Sequence, residues 1–516
     1  MKQYDDYGIR KWGIPSTVLM ENAGRTTYRL LKEACLRPGA RVVVVCGRGN
    51  NGGDGFVIAR YALRDGFDTR VFLTGQAERL SGDAAINMRL YTAIGGRMTE
   101  LSEYTEEVGR AIQASDCIVD AIFGTGLAKE VTGLEKAVIE AINRSGKRVV
   151  AVDIPSGLDG ERGLPLGSAV KAERTYTYGY PKTGQLLHPG VSYRGRLTVV
   201  DISLPASAEA ELGIDGYLVD GEMLRGILRV RPPEAHKGMF GNCAVIAGST
   251  GKTGAAAMAS AAALKVGAGL VTLVIPASLN AIMEVKLTEA MTYPVDDEGR
   301  GFFTTASYDA VVDFVRDKDV VVMGPGLGTD EQTMEISRRL YAQIDKPFVI
   351  DADGINAFNG HLHILKKRQG NAVFTPHPGE FGRLVGLSPK EVNADRLNLG
   401  RAFAREHQVF LVLKGAPTIT FSPDGDAYIN PTGNPGLAKG GAGDILTGFI
   451  GGLLSQGYAM SAAAFFGVYL HGYIADTWAA KYSDMDLVAG DLIAGVGEAI
   501  REIRDGTDRV YVEKSL

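Results

Sequence analysis

The 516-residue chain reads as an α/β protein built on two doubly wound parallel sheets, and three observations predict this. Short β-branched runs alternate with amphipathic stretches, the pattern of βαβ units. Glycine-rich turns follow the ends of several runs, where open parallel sheets bind their ligands. The length exceeds what one hydrophobic core commonly supports, so two or more domains are expected.

In the first half the strands fall at Arg41 to Cys46, Thr69 to Thr74, Cys117 to Ile122, Arg148 to Ile154 and Arg196 to Asp201. Pro205 to Gly221 reads as the junction, which puts the domains at residues 1–216 and 217–516. Beyond Arg229-Val230-Arg231-Pro232-Pro233 strands recur at Asn242 to Ala247, Leu270 to Ile275, Asp319 to Met323, Phe348 to Asp351, Asn371 to Thr375 and Val409 to Leu413. An alanine-rich helix is expected from Thr253 to Val266.

Composition narrows the function classes. Sixty acidic against 55 basic residues give a net charge of −5, which offers no footprint for nucleic acid or an anionic membrane. Met1-Lys2-Gln3-Tyr4-Asp5-Asp6 lacks the apolar core of a signal peptide, and His471 and Asp476 interrupt the apolar stretch after Ala462. A cytoplasmic protein is expected. Cys35, Cys46, Cys117 and Cys243 form no CxxC pair and read as buried thiols. A homo-oligomer is left open.

Gly47-Arg48-Gly49-Asn50-Asn51-Gly52-Gly53-Asp54-Gly55 follows the run Val42 to Val45 and leads toward a helix. Glycines admit a phosphate to the backbone, and the free N–H groups of a helix start stabilise it. Gly47, Gly49 and Gly52 satisfy GxGxxG, but a dinucleotide dehydrogenase also needs an acid at the end of the second strand. That end reads Leu73-Thr74-Gly75-Gln76, without a carboxylate. The loop instead brings Asn51 toward Asp120, Asp153 and Ser156 at later strand ends, and amide, carboxylate and hydroxyl oxygens suit a hard cation. Any one of these residues alone could simply cap a turn. Their recurrence at successive strand ends favours a site.

In the second half Gly248-Ser249-Thr250-Gly251-Lys252-Thr253 fails as a Walker A loop, because Ile246 stands where its first glycine belongs. The stronger signal is Gly436-Leu437-Ala438-Lys439-Gly440-Gly441-Ala442-Gly443-Asp444, a glycine turn opening a helix. Its N–H groups can stabilise a transferring phosphoryl group while Asp444 takes the proton of a substrate hydroxyl. Gly324-Pro325-Gly326-Leu327-Gly328, Asp351-Ala352-Asp353-Gly354, Thr375-Pro376-His377-Pro378-Gly379-Glu380 and Lys414-Gly415-Ala416-Pro417-Thr418 accompany it at predicted strand ends. The spacing of Gly448 and Gly452 reads as close helix packing. His361 and His363 have no third ligand nearby in sequence, so no metal is read there.

These strings carry a resemblance. Leu19-Met20-Glu21-Asn22-Ala23-Gly24, Gly49 to Gly55, Asp120 to Gly126 and Val152 to Gly157 resemble the YjeF N-terminal family of NAD(P)HX epimerases, over roughly residues 1 to 215. The resemblance implies a Rossmann-like fold and a potassium ion held by Asn51, Asp120 and Ser156. It implies that the damaged dinucleotide meets Asn50, Asn51, Gly52, Gly53, Asp54, Gly124, Thr125, Gly126, Leu127, Ala128, Lys129, Glu130 and Asp153. One departure is visible: family members usually begin with a short segment ahead of the stretch matched by Met1 to Tyr7. The second half resembles the ribokinase-like ADP/ATP-dependent NAD(P)HX dehydratases over about residues 225 to 510. That likeness implies Gly328, His377 and Asp444 against the hydrated dinucleotide, and Lys414, Gly415, Ala416, Pro417, Thr418 and Gly443 against ADP or ATP. Glu380 would position magnesium through water.

The expected catalytic residues are therefore Asp153 for proton transfer in epimerisation and Asp444 as the base in a nucleotide-driven dehydration. The alternatives are a ribokinase-like kinase for a vitamin precursor, and a first domain that binds without catalysing.

Overall fold

The computed structural model describes residues 2–204 and 211–515. Met1, Leu516 and residues 205–210 of the expected junction lie outside the described residues. The chain separates into two compact units, Met1–Ile214 with Tyr511–Leu516, and Asp215–Val510.

The first unit is built on eight parallel strands: β1 (Arg41–Cys46), β2 (Asp68–Thr74), β3 (Arg97–Leu101), β4 (Cys117–Ala121), β5 (Arg148–Val152), β6 (Arg174–Tyr178), β7 (Arg196–Val200) and the C-terminal β18 (Glu513–Ser515). Their order is β18-β7-β6-β5-β4-β1-β2-β3. Five of the six residues of β1 and all of β4 are buried, as expected of strands covered on both faces. The order reverses between β1 and β4, where Val45 lies opposite Asp120 and Cys46 opposite Ala121. The loops leaving these two strands therefore open a crevice at the carboxyl edge, the place where doubly wound sheets bind ligands.

Helices α1 (Lys2–Lys11), α2 (Ser16–Cys35) and α3 (Asn50–Arg64) border that crevice. The α3 helix starts at Asn50, so the turn itself is only Gly47-Arg48-Gly49, and Gly52 and Gly53 belong to the helix rather than to a loop. They are needed for proximity. A Cβ on Gly47 would lie 1.9 Å from the Ile122 carbonyl oxygen, and one on Gly52 would lie 1.9 Å from that of Gly47. The Leu19-to-Gly24 string sits on α2, where the Glu21 carboxylate accepts from Tyr61 Oη (2.6 Å) and Arg60 on α3.

The second unit carries β8 (Gly216–Leu218), β9 (Asn242–Ile246), β10 (Leu270–Pro276), β11 (Met291–Val295), β12 (Val320–Met323), β13 (Phe348–Ile350), β14 (Ala372–Phe374), β15 (Phe410–Leu413), β16 (Ile419–Phe421) and β17 (Ala427–Ile429). The order is β11-β10-β9-β12-β13-β14-β15-β16-β17-β8, with β16 antiparallel to both of its neighbours. The reversal here falls between β9 and β12. Helices Thr253–Lys265 and Ala442–Ser455 approach closely. A Cβ on Gly448 would lie 2.3 Å from the Ala259 oxygen, and one on Gly452 would lie 2.4 Å from that of Ala263, so this glycine pair serves helix packing.

Both units are α/β with parallel sheets, as the alternation of strands and helices predicts. Strands β3, β6, β8, β11, β16, β17 and β18 were not expected from the sequence. Four of them have only three residues, too short to show a period, and β3 is a half-exposed edge strand with charged positions. No helix among the described residues is long and apolar enough to cross a membrane.

Gly52→Ala is expected to destabilise the protein by about 1–3 kcal/mol through overpacking against Gly47. Chemical denaturation of the full chain measures this, and an unchanged midpoint would show that the turn yields.

Candidate active sites

In the first unit a cavity of about 770 Å³ opens at the carboxyl ends of β1, β4 and β5. Asn50, Asn51, Asp54, Gly124, Thr125, Gly126, Leu127, Ala128, Lys129 and Asp153 line it, as do Asp5, Ile9, Met20 and Tyr178. Gly52, Gly53 and Glu130 do not. Gly52 packs beneath the turn against Gly47, Gly53 packs against Met20 and Ala84, and the Glu130 side chain lies against Gly167.

Asn51, Asp120 and Ser156 meet around the backbone of Phe123. Asn51 Nδ2 donates to the Phe123 oxygen (3.0 Å), the Phe123 N–H donates to Ser156 Oγ (2.8 Å), and the Ser156 N–H donates to Asp120 Oδ2 (2.8 Å). Asp120 is fully buried, and burial pushes its carboxyl up to about 6. Asn51 Oδ1 is buried with no hydrogen-bond donor among the described residues. An unanswered amide oxygen beside a buried carboxylate and a hydroxyl fits a monovalent hard cation. Among the described residues no cluster of three or more His, Cys, Asp or Glu side chains could hold a metal, so the oxygen set is mixed rather than carboxylate-rich.

Asp153 follows β5 with a positive φ of 62°, a conformation that aspartate tolerates better than most residues. Its Oδ1 accepts from the Tyr178 N–H (3.0 Å) and from the Lys182 ammonium, while Gln185 Nε2 holds its backbone oxygen (2.6 Å). Lys182 also donates to Thr177 Oγ1 (2.9 Å) and the Tyr178 oxygen (3.0 Å), so its three hydrogens are used. The lysine therefore positions Asp153. Asp153 Oδ2 has no hydrogen-bond partner among the described residues and is available to a ligand in the cavity. Lys182 was missed because it sits in Tyr180-Pro181-Lys182-Thr183-Gly184, just beyond the unrecognised β6.

In the second unit an ion pair built on the buried Asp351 also organises the strand ends. Lys414 Nζ donates to Asp351 Oδ1 (2.8 Å) and lies 3.9 Å from Glu380, and Thr447 Oγ1 donates to Asp351 Oδ2 (2.6 Å). Burial alone would raise the Asp351 carboxyl. Lys414 and these hydrogen bonds outweigh it and hold the group below the usual carboxylate range. Gly443, in the first turn of the helix Ala442–Ser455, lies beside this pair: a Cβ there would lie 3.4 Å from Lys414 Nζ. Asp444, the next residue, is pushed up to about 7 by burial first and then by Asp351 and Asp353, against the pull of Lys414. A carboxyl with that value suits acid/base chemistry near neutrality.

The other expected residues fall around this centre. Gly328, at φ 84°, donates its N–H to Asp353 Oδ2 (2.9 Å), which also accepts from Lys252 (2.9 Å). His377 caps the helix Pro378–Val385: its Nδ1 accepts from the N–H groups of Gly379 (3.0 Å) and Glu380 (3.3 Å), and burial lowers its basicity. Glu380 returns the cap by accepting the His377 N–H (2.8 Å) at Oε2. Gly415, Ala416, Pro417 and Thr418 form the turn between β15 and β16, closed by Thr418 Oγ1 on the Gly415 oxygen (3.2 Å).

Two largely parallel sheets, each with an oriented aspartate and an ion-paired lysine at the carboxyl ends of its strands, define an α/β enzyme with two nucleotide-type sites. Comparison with known proteins identifies the family. The family described as NAD(P)H-hydrate dehydratase matches residues 243–494, and the YjeF-related protein N-terminus matches residues 16–184. The bifunctional NAD(P)H-hydrate repair enzyme Nnr of Moorella thermoacetica is 38% identical over 99% of this chain and 97% of its own length. That of Thermofilum pendens is 35% identical over 99% and 97%, and that of Escherichia coli 32% over 98% and 93%. A solved ADP/ATP-dependent NAD(P)H-hydrate dehydratase from Bacillus subtilis, co-crystallised with ATP/Mg2+, is 30% identical and covers 56% of this chain and 98% of its own, with a TM-score of 0.49. The chain belongs to the family of bifunctional NAD(P)H-hydrate repair enzymes.

Two outcomes follow from the charge arrangement. Lys182→Met strands the Asp153 carboxylate without its cation, and should cost about 3–5 kcal/mol in chemical denaturation of the full chain; a loss near zero would refute a structural role for the pair. For Asp444 the folded-state value near 7 exceeds the ordinary 3.8, so the native state holds the proton more tightly than the unfolded chain. Its stabilising contribution is full below about 4 and is lost as pH rises through 7. Asp444→Asn should therefore raise the melting temperature more at pH 8 than at pH 5, and an equal change at both would contradict the assigned environment.

Proposed function

We propose that the first unit interconverts the R and S epimers of the hydrated dinucleotides NADHX and NADPHX, and that the second dehydrates the S form to NADH or NADPH. ADP or ATP is the co-substrate, leaving AMP or ADP and phosphate. The observation that carries this reading is Asp153 lining the cavity with its Oδ2 left without a hydrogen bond among the described residues, paired in the second unit with an Asp444 carboxyl raised to about 7 beside Gly443. Membership of the repair family supports it.

In the first unit Asp153 exchanges a proton with the substrate, and the crevice residues Asn50, Asp54 and Gly124 to Lys129 hold the dinucleotide. Potassium would sit with Asn51, Asp120 and Ser156 and supply a fixed positive charge there. In the second unit Asp444 takes the proton of the ring hydroxyl as it attacks the terminal phosphoryl group. The ring nitrogen lone pair then expels phosphate, a far better leaving group than hydroxide. The N–H of Gly443 and the Lys414 ammonium face the transferring charge, and the turn Gly415 to Thr418 contacts the nucleotide. Gly328 and His377 bind the hydrated dinucleotide, with only Nε2 of His377 left for it. Magnesium, held through water near Glu380, would neutralise phosphate oxygens. The four free cysteines agree with action in the reducing cytoplasm.

Absorbance of reduced nicotinamide tests both halves at once. Protein mixed with an epimer mixture, magnesium, potassium and nucleotide should convert both epimers completely. Asp153→Ala should stop at the S share, and Asp444→Ala should give no rise. A wild-type reaction that halts at one epimer would remove the epimerase assignment, and one with no nucleotide-dependent rise would favour a small-molecule kinase.

A further inference from the structure

Asp5, on the leading helix, reaches the same cavity as Asp153. Tyr4 docks α1 beside Asp153's partners: it is buried, its hydroxyl lies 2.8 Å from that of Tyr180, and the two rings meet edge to face with centroids 4.9 Å apart. Tyr180 is two residues from Lys182. A Cβ on Gly8 would lie 2.5 Å from Leu204 Cδ2, so the helix packs closely along this edge. Asp5 and Ile9, one turn apart, consequently share the face that lines the cavity. Asp54 enters from α3, 7% exposed and with only charge interactions and burial acting on it, so a second carboxyl without a bonded partner points at the same space.

We propose that Asp5 is the second acid/base residue of the epimerase, the partner of Asp153 on the reacting ring; this rests on the epimerase reading of the first unit. The two carboxyls differ in environment as an acid and a base must. Asp153 is held by the Lys182 ammonium and the Tyr178 N–H, with Thr177 Oγ1 3.4 Å away. Asp5 makes no hydrogen-bonded ion pair among the described residues: burial, then the charge of Asp153, push it up to about 6, with Lys182 and the N-terminal ammonium opposing and Asp6 on its own helix adding slightly. Asp54 faces the pair from α3, and its own carboxyl is raised by burial first and then by the charges of Asp153 and Asp5.

The step balances without a co-reactant. Asp153 takes the proton of the ring hydroxyl, and the O–H electrons form a carbonyl. The bond between that carbon and the ring nitrogen breaks, and its electron pair on nitrogen takes the proton of Asp5. Rotation presents the other carbonyl face. The nitrogen then attacks it, returning its proton to Asp5, while Asp153 returns its own to the oxygen. The opposite epimer results and both carboxyls are restored.

The test is epimer exchange of NADHX by the full chain without nucleotide, followed by chromatography across pH 5 to 9. In the wild type kcat/KM should fall as pH rises through Asp5's value, since the acid must be protonated. Asp5→Asn should slow exchange by about 100-fold or more and remove that fall, while nucleotide-driven conversion of the S epimer stays at the wild-type rate. Should the Asn variant fail to fold, Asp5→Glu is expected to keep the falling limb at reduced kcat. Exchange within about threefold of wild type in Asp5→Asn, a loss confined to KM, or a Glu variant without the limb would overturn the proposal. A wild-type chain that does not accelerate exchange would instead sink the epimerase reading itself.

Discussion

All three hydrogens of the Lys182 ammonium go to protein acceptors, and that saturation decides what its neighbours can do. A lysine so engaged has no donor left for a substrate. What it does is fix one oxygen of Asp153, a residue that lines the cavity, and leave the other without a hydrogen bond among the described residues. Gln185 closes the arrangement, with its Oε1 accepting from the Lys182 N–H (2.8 Å) and Thr177 Oγ1 (3.1 Å) while its Nε2 holds the Asp153 backbone oxygen. The left-handed backbone at Asp153 is kept in place by these bonds, and such over-determined strain is characteristic of residues that must point at a ligand.

The second unit uses the same pair differently. Lys414 satisfies Asp351, which Thr447 also holds, so that carboxylate is fully engaged. Its charge acts on the next group instead. Asp444 stands close enough to feel both members of the pair, and burial with Asp351 and Asp353 outweighs Lys414. One unit thus orients Asp153 by direct ion pairing, and the other tunes Asp444 through a neighbouring pair. A non-glycine residue with positive φ, Ala352, again marks the strand end involved.

How much of this was legible depended on how local the signal was. The turn after β1 could be read because Gly47 and Gly52 are demanded by backbone approaches of 1.9 Å, which only glycine survives. Asp120, Asp153 and Asp444 could be found because each follows a recognisable strand or glycine turn. Lys182 could not, since β6 reads Arg-Thr-Tyr-Thr-Tyr and does not resemble a buried parallel strand. Asp5 lies on a polar ten-residue helix with no punctuation around it, and only tertiary docking through Tyr4 brings it to the cavity. Glu130 lies outside the cavity lining that the rest of its string reaches, with its side chain against Gly167. His377 was read for ligand binding, and its string is also a capping box, so one ring nitrogen is committed to the helix.

The two chemistries make different demands on protons, and the sites differ accordingly. Epimerisation returns every proton it borrows, so it is served by groups that start in opposite states and end as they began. Dehydration consumes a phosphoanhydride and must hold growing phosphate charge, so it needs one base beside backbone N–H groups and a buried ammonium. A chiral dehydratase pocket acts on one epimer alone and would strand the other. On the proposed reading, exchange in the first unit continually resupplies the form that the second removes, and irreversible loss of phosphate draws both epimers through. A catalyst of an equilibrium thereby becomes useful by sharing a chain with a catalyst that drains it.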